Sequence, residues 1–300
     1  MWSPIDGLRW PGFWVYVLVW VVLPVGIAVW RVRSTGRKQA EQWLAACGIV
    51  PIERLVPAAI EYVRWTRSWR SAGFVVGWLV AGIGPVITGN ARTDWFSGGL
   101  QWVVVVVGYL LGAVVGELLR PRPLSGGAQL IWRRPTDAIP RWGSLLSAAA
   151  LVVGLAVAWF GKLGDIDHAV TPLEPPADWI IWIATVTIAF VGWVGIMFIM
   201  RRPLRGVDKA ELWLEEARRS TSVRAIAGAT TAATFLSAIT LVAALPLLTY
   251  PNDSTWRDLV FGVGLTVVGP ALGFVVFGAM ADLASPHPAS ARGRSEAEIL

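Results

Sequence analysis

Seven apolar stretches, each of about 20 residues, divide the chain and restrict its fold more than any other feature of the sequence. A helix needs roughly 20 apolar residues to cross the hydrocarbon core of a bilayer. The pattern therefore predicts seven transmembrane helices, numbered here as spans one to seven. They lie at about residues 11–30, 72–89, 98–119, 143–161, 179–200, 225–248 and 258–281.

The basic residues are concentrated in alternate gaps between these spans. Of the 26 Lys and Arg residues, 22 follow spans one, three, five and seven. Because cytoplasmic loops carry an excess of Lys and Arg, the amino terminus is expected outside and the carboxyl terminus in the cytoplasm. Arg is far commoner than Lys, which together with the many Ala, Gly and Trp residues is typical of a high-GC bacterial genome. The predicted location is the bacterial plasma membrane.

Composition leaves little material for a soluble domain, since 55% of the residues are hydrophobic. Residues 1–284 are therefore predicted to form a single membrane domain, and the Pro-, Ser- and Ala-rich residues 285–300 a disordered cytoplasmic tail. Membrane orientation accounts for the net charge of +6, so the lipid bilayer is the expected partner and nucleic acid is not. The single cysteine, Cys47, excludes an intramolecular disulfide or a CxxC site.

An internal repeat relates spans two and three to spans six and seven. PVITGNARTDW aligns with PLLTYPNDSTW at an offset of 161 residues, and the helices that follow continue in the same frame. The shared positions include Pro85 and Pro246, Thr88 and Thr249, Trp95 and Trp256, Gly108 and Gly269, and Gly112 and Gly273. Spans four and five fit this frame more weakly. The sequence thus predicts an all-α integral membrane protein with one anchor helix plus three related helical hairpins.

Two short segments before spans two and six also resemble each other. QAEQWLAAC and KAELWLEEA both place apolar or small residues at i, i+3, i+4 and i+7, the spacing of one helix face. We expect short amphipathic helices on the inner membrane face, with Gly48 ending the first. A solvated connector is the alternative interpretation.

Small and polar residues within the spans are the candidate functional positions. Gly108, Gly112 and Gly116 line one face of span three, and Gly269 and Gly273 one face of span seven. Such faces allow close helix approach, either within the bundle or between copies in a homo-oligomer. The remaining candidates are prolines and hydroxyls that either pack helices or line a solute pathway: Pro85, Thr88, Thr230, Thr234, Ser237, Pro246 and Thr249.

Glu117 is an acid near the inner boundary of span three. Intramembrane carboxylates are candidates for ion or proton coupling, but Arg120 follows at i+3, and a helical ion pair explains Glu117 adequately. His168 beside Asp165 and Asp167 matches no zinc-site spacing. The sequence also contains no GxSxG-type serine motif. We therefore expect no catalytic site, metal or cofactor.

The inner loop from Gly116 to Trp142 resembles an element of uncharacterised multi-pass membrane proteins of actinobacteria. In that element a Gly and an acid near the end of a span lead into Arg-Pro runs and a basic loop with an Asp. The residues that carry the resemblance are Gly116, Glu117, Arg120, Pro121, Arg133, Arg134, Asp137, Pro140 and Arg141. The resemblance implies source and topology, and no activity.

Three functional hypotheses follow from the sequence, and a membrane-embedded enzyme is the least favoured of them. The leading one is a non-enzymatic membrane subunit, scaffold or regulator, whose Arg-rich inner loops contact a membrane-protein partner or anionic lipid. The alternative is a small-solute transporter or channel that uses spans two, three, six and seven. Parallel repeats differ from the inverted repeats common in secondary transporters, which favours the first hypothesis.

Overall fold

Helices make up nearly all of the computed structural model, which describes residues 17–87, 99–121, 127–129, 139, 141–161, 176–206, 208–243, 271–273 and 275. A π-helical turn, Leu18–Val22, leads into the first helix, and residues 271–273 and 275 are also helical. The named helices are α1 (Leu23–Arg33), α2 (Arg37–Ala46), α3 (Val56–Ile87), α4 (Gly99–Leu118), α5 (Arg141–Gly161), α6 (Pro176–Met200) and α7 (Lys209–Ala243).

Four of these helices, α4 to α7, are long and apolar enough to cross a membrane. They coincide with predicted spans three, four, five and six. Spans one, two and seven stay predictions: α1 is only 11 residues long, α3 is not among the four, and most of residues 258–281 lie outside the described chain. The helical fold is therefore confirmed, and the count of seven spans is not shown.

Helix α7 lies at the centre of the helices described. It packs against α4, α5 and α6. In its spanning part 78% of the residues are buried, against 33% to 44% in the other three. Its buried positions carry small side chains, among them Ala229, Ala232 and Ala233, which let several helices approach one axis.

Helices α3 and α4 are the most extensively packed pair of helices in the described chain. Gly73 and Gly77 of α3 lie against Gly108 and Gly112 of α4, so closely that a Cβ built on Gly73 would lie 2.3 Å from the Gly108 carbonyl oxygen. Only glycine fits such a backbone contact. This pairing brings the carboxyl end of α4, where Glu117 lies, beside the first half of α3.

Helix α2 ends where the sequence predicts, because Gly48 adopts a φ of 70°, the left-handed conformation that terminates helices. The similar segment before span six differs from the prediction. KAELWLEEA is not a separate short helix but the first turns of α7, which continues without a break to Ala243.

The two predicted amphipathic stripes are both buried by protein contacts. Ala40 and Leu44 of α2 share one buried cluster with Ala210, Leu214 and Ala217 of α7. The cluster also contains Val56 and Ala59 of α3, against which α2 packs. Burial in this cluster removes more apolar area from water than a solvated connector would. Protein contacts, rather than a membrane surface, thus cover both stripes.

Two short strands, β1 (Gly127–Gln129) and β2 (Leu204–Gly206), add a small antiparallel pair that the sequence does not predict. Gly127 pairs with Gly206 and Gln129 with Leu204. The pair joins the loop after α4 to the loop after α6. Three-residue strands have no detectable alternation in sequence, so periodicity could not have found them.

Candidate functional site

A buried polar cluster joins α3, α4 and α7 where α4 ends. We call it the Glu117 cluster. Its members are Tyr62, Glu117, Arg120, Glu215, Arg218 and Ser222.

Glu117 connects two helices of this cluster through its two carboxylate oxygens. Ser222 of α7 donates a hydrogen bond to Oε1, and Arg120 lies 3.4 Å from Oε2. The latter is the i, i+3 pair that the spacing predicts. Only 4% of the Glu117 side chain is exposed, so these partners, not water, stabilise its charge.

Arg120 and Arg218 extend the cluster around Glu215. Arg120 forms an ion pair with both Glu117 and Glu215, and Arg218 lies 3.5 Å from Glu215. Arg218 also donates to the Ala58 carbonyl oxygen at 2.6 Å, which ties α7 to the start of α3. Two carboxylates thus face two guanidinium groups, and each charge has an opposite partner.

Tyr62 lies at the centre of these contacts. Its hydroxyl oxygen is 2.9 Å from both the Arg218 carbonyl oxygen and Ser222 Oγ. The guanidinium carbons of Arg120 and Arg218 lie 5.6 and 5.5 Å from the centre of its ring, within cation–π range. Burial raises the pKa of the Tyr62 hydroxyl and the Glu117 carboxylate raises it further, so Tyr62 remains a proton donor.

Further donors bind the carbonyl groups at the ends of α4 and α6. Trp65 Nε1 donates to the Gly116 carbonyl and Arg202 Nη1 to the Glu117 carbonyl, both at 2.8 Å, while Arg219 donates to the Met200 carbonyl. The last carbonyls of a helix lack intrahelical partners, and cations are favourable there. Some of the arginines that predict orientation therefore also cap helix ends.

Sequence reasoning identified Glu117 and Arg120 but missed the other four members. Glu215, Arg218 and Ser222 stand at i, i+3 and i+7 on α7, a polar stripe on a single helix face. Only Glu215 lies within KAELWLEEA, the predicted membrane-surface helix, whereas Arg218 and Ser222 lie between that segment and predicted span six. The stripe is therefore divided between two predicted segments. Tyr62 offers no comparable signal, because its partners are distant in sequence.

The hydroxyl stripe of span six is buried within the helix bundle. Thr230 donates to the Ile226 carbonyl at 2.8 Å and Ser237 to the Ala233 carbonyl at 2.9 Å. Thr234 donates to the Thr231 carbonyl and lies 3.2 Å from Ser147 Oγ of α5. These hydroxyls therefore hydrogen-bond to protein groups.

The predicted glycines in the described chain all lie at close helix contacts. Gly108 and Gly112 face the glycines of α3, and Gly116 faces the Trp69 side chain. A Cβ built on Gly273 would lie 3.0 Å from Leu236 of α7, so residues from predicted spans six and seven are neighbours.

Several predicted positions lie outside the described residues. They are Thr88, Pro246, Thr249 and Gly269, together with the 285–300 tail and the loop residues Arg133, Arg134 and Asp137. Pro85 lies on the described backbone of α3.

No protein-family model, curated protein or solved structure matches this chain. Within the described residues, no group of three or more His, Cys, Asp or Glu side chains could hold a metal ion. The Glu117 cluster can therefore be interpreted only through its own chemistry. It neutralises buried charge and joins three helices.

Proposed function

We propose that the protein is a non-enzymatic subunit, scaffold or regulator in a bacterial plasma membrane, with its amino terminus outside. One observation carries this proposal: several buried polar groups of the described helices hold separate helices to one another. The Glu117 cluster and the Thr234–Ser147 contact both join separate elements through hydrogen bonds. The bacterial source is supported by the Arg-rich composition and by the actinobacterial likeness of the loop after α4.

A small-solute transporter or channel is the alternative. It requires polar groups that face a pathway, and it is based on the prolines of spans two and six together with the hydroxyl stripe of α7. Thr230 and Thr234 bond to carbonyls of their own helix and are buried, which favours packing. The central, Ala-rich position of α7 also favours a filled bundle.

A subunit or scaffold needs a partner within the membrane, and two helices expose apolar faces that a partner could cover. Phe190 of α6 and Val152 of α5 are 67% and 66% exposed, whereas Ile196 of α6 is fully buried. A photo-crosslinking amino acid placed at each position in turn, in native membranes, tests for a neighbour. We expect discrete protein adducts at Phe190 or Val152 and none at Ile196.

Adducts with lipid alone at both exposed positions would contradict the proposal. The transporter alternative is tested separately by reconstituting the purified protein into liposomes that report proton, potassium or glycerol flux. Flux above that of empty liposomes, abolished by Thr234→Val without loss of folding, would replace the scaffold proposal.

A further inference from the structure

A separate group of arginines lies where α1 ends against α3. Arg64 Nη2 donates a hydrogen bond to the Thr35 carbonyl oxygen at 3.4 Å, and Arg67 Nη1 donates one to Thr35 Oγ1 at 3.1 Å. Thr35 is buried, and its hydroxyl lies 3.1 Å from the Arg31 carbonyl one turn earlier. Two guanidinium groups of α3 thus contact Thr35 at the end of α1. The charge of Arg31 lies close enough to act on Arg67.

The positive charge of this group has no carboxylate partner among the described residues. Arg31, Arg64 and Arg67 form no ion pair there, and Glu61, one turn before Arg64 on α3, pairs with none of them. Glu41 of α2 and Glu53, which precedes α3, both form ion pairs with Arg37. Burial lowers the pKa of Arg67 and the Arg31 charge lowers it further, as expected for like charges held close together.

The helix that leads into this group exposes apolar side chains. Leu23, Ile27 and Trp30 of α1 are 50%, 46% and 68% exposed, and Trp30 directly precedes Arg31. Trp is enriched at the membrane–water interface, and arginines at that level attract anionic lipid. The exposed face of α1 is thus apolar first, then carries Trp30, and ends at arginines without an ion pair among the described residues. A phospholipid has the same order, since its acyl chains lead to its phosphate.

We propose that Arg31, Arg64 and Arg67 bind the phosphate of an anionic phospholipid whose acyl chains lie along the exposed face of α1. Guanidinium groups suit a phosphate because their planar N–H donors match its oxygens in pairs. The exposed Trp30 and Ile27 distinguish a lipid from a free phosphate, which needs no apolar surface. The inference rests on the membrane location alone and holds for a scaffold and a transporter equally.

Lipid titration of the purified full-length protein tests this site. The protein in detergent micelles receives phosphatidylglycerol or phosphatidylcholine, and native mass spectrometry counts bound lipid while the unfolding temperature is recorded. We expect saturable, stabilising binding of phosphatidylglycerol only. Arg64→Gln and Arg67→Gln should each weaken it about fivefold, since a basic residue near an anionic headgroup contributes about 1 kcal/mol.

Arg33→Gln is the matched control, because residues two apart on a helix do not face the same way and Arg33 is also exposed. Equal weakening by Arg33→Gln, or equal binding of phosphatidylcholine, would overturn the site. Competition by glycerol 3-phosphate at the same potency as the lipid would overturn the lipid assignment. If the α3 variants do not fold, Arg31→Gln provides the same comparison, since its side chain forms no hydrogen bond to the described residues.

Discussion

Replacing Gly112 with alanine introduces a methyl group where α3 and α4 are closest. The new Cβ would lie 2.3 Å from the Trp69 carbonyl oxygen and 3.0 Å from the Gly73 Cα, whereas ordinary contact begins at 3.4 Å. A backbone carbonyl cannot rotate away as a side chain can. The two helices must therefore separate locally by roughly 1 Å, which weakens the dispersion contacts around the site.

The expected cost follows from two opposing effects. Overpacking a tight interface costs about 1 to 3 kcal/mol, and contact with backbone on both sides favours the upper end. Alanine recovers about 1 kcal/mol because it forms helices better than glycine. We expect Gly112→Ala to lower the free energy of unfolding by about 2 kcal/mol.

Two matched glycine variants make the measurement decisive. A Cβ on Gly26 of α1 would meet nothing within 4 Å, and one on Gly154 of α5 would lie 3.3 Å from the movable Trp182 ring. We would measure unfolding by sodium dodecyl sulfate in mixed micelles, followed by circular dichroism. Gly26→Ala should be the most stable variant, Gly154→Ala intermediate and Gly112→Ala the least stable. Equal stability of Gly112→Ala and Gly26→Ala would refute the reasoning.

Three further predictions concern other contacts. Glu117→Gln should lower the free energy of unfolding by about 2 kcal/mol in the same assay, since it removes one of the two carboxylates that pair with the buried Arg120 guanidinium. Cys47 should react more slowly with maleimide at neutral pH than an exposed thiol, and its rate should still rise above about pH 8.5, the ordinary pKa of cysteine, because burial raises the pKa of its thiol and only the thiolate attacks. Gly192→Ala should destabilise strongly, because its Cβ would lie 2.0 Å from Thr230 Oγ1, and adding Thr230→Ala should restore part of the loss.

Each of these predictions has a control within the same chain. Glu41→Gln removes an exposed partner of Arg37 and should cost under about 0.5 kcal/mol, so a cost equal to that of Glu117→Gln would contradict the buried-pair argument. For the Cys47 prediction, the control is Glu53→Cys in a Cys47→Ala background. This exposed thiol should react with maleimide promptly in detergent, in contrast to Cys47. Prompt labelling of Glu53→Cys by an impermeant reagent in intact cells would overturn the predicted orientation. Strictly additive effects in the glycine–threonine pair would show that those residues do not touch.

The sequence predicted the helices better than their mutual contacts. Apolar length alone placed α4, α5, α6 and the second half of α7, because a bilayer imposes one simple requirement on each helix separately. Periodicity found the stripes of Ala40 and Ala210, yet it could not reveal that both belong to one buried cluster that also contains residues of α3. Amphipathic periodicity reports that a face is covered and not what covers it.

In the Glu117 cluster, too, the local contact could be inferred from sequence and the distant contacts could not. Glu117 and Arg120 are three residues apart on one helix, so their pairing is local and could be inferred. Tyr62 and Ser222 are 160 residues apart and meet only because the α3–α4 pair packs on α7. The repeat of Pro85 and Pro246 stays a prediction, since Pro246 lies outside the described residues.

The central position of α7 has a consequence for biosynthesis. Among α4 to α7, the helix in the middle is the last to leave the ribosome, since the chain is made from its amino terminus. Until it arrives, Glu117 lacks Ser222 and Ser147 lacks Thr234, so both would face lipid or water without their hydrogen-bonding partners. A nascent chain that stops before residue 209 is thus a natural substrate for membrane quality control, and insertion of α7 supplies the missing partners of Glu117 and Ser147.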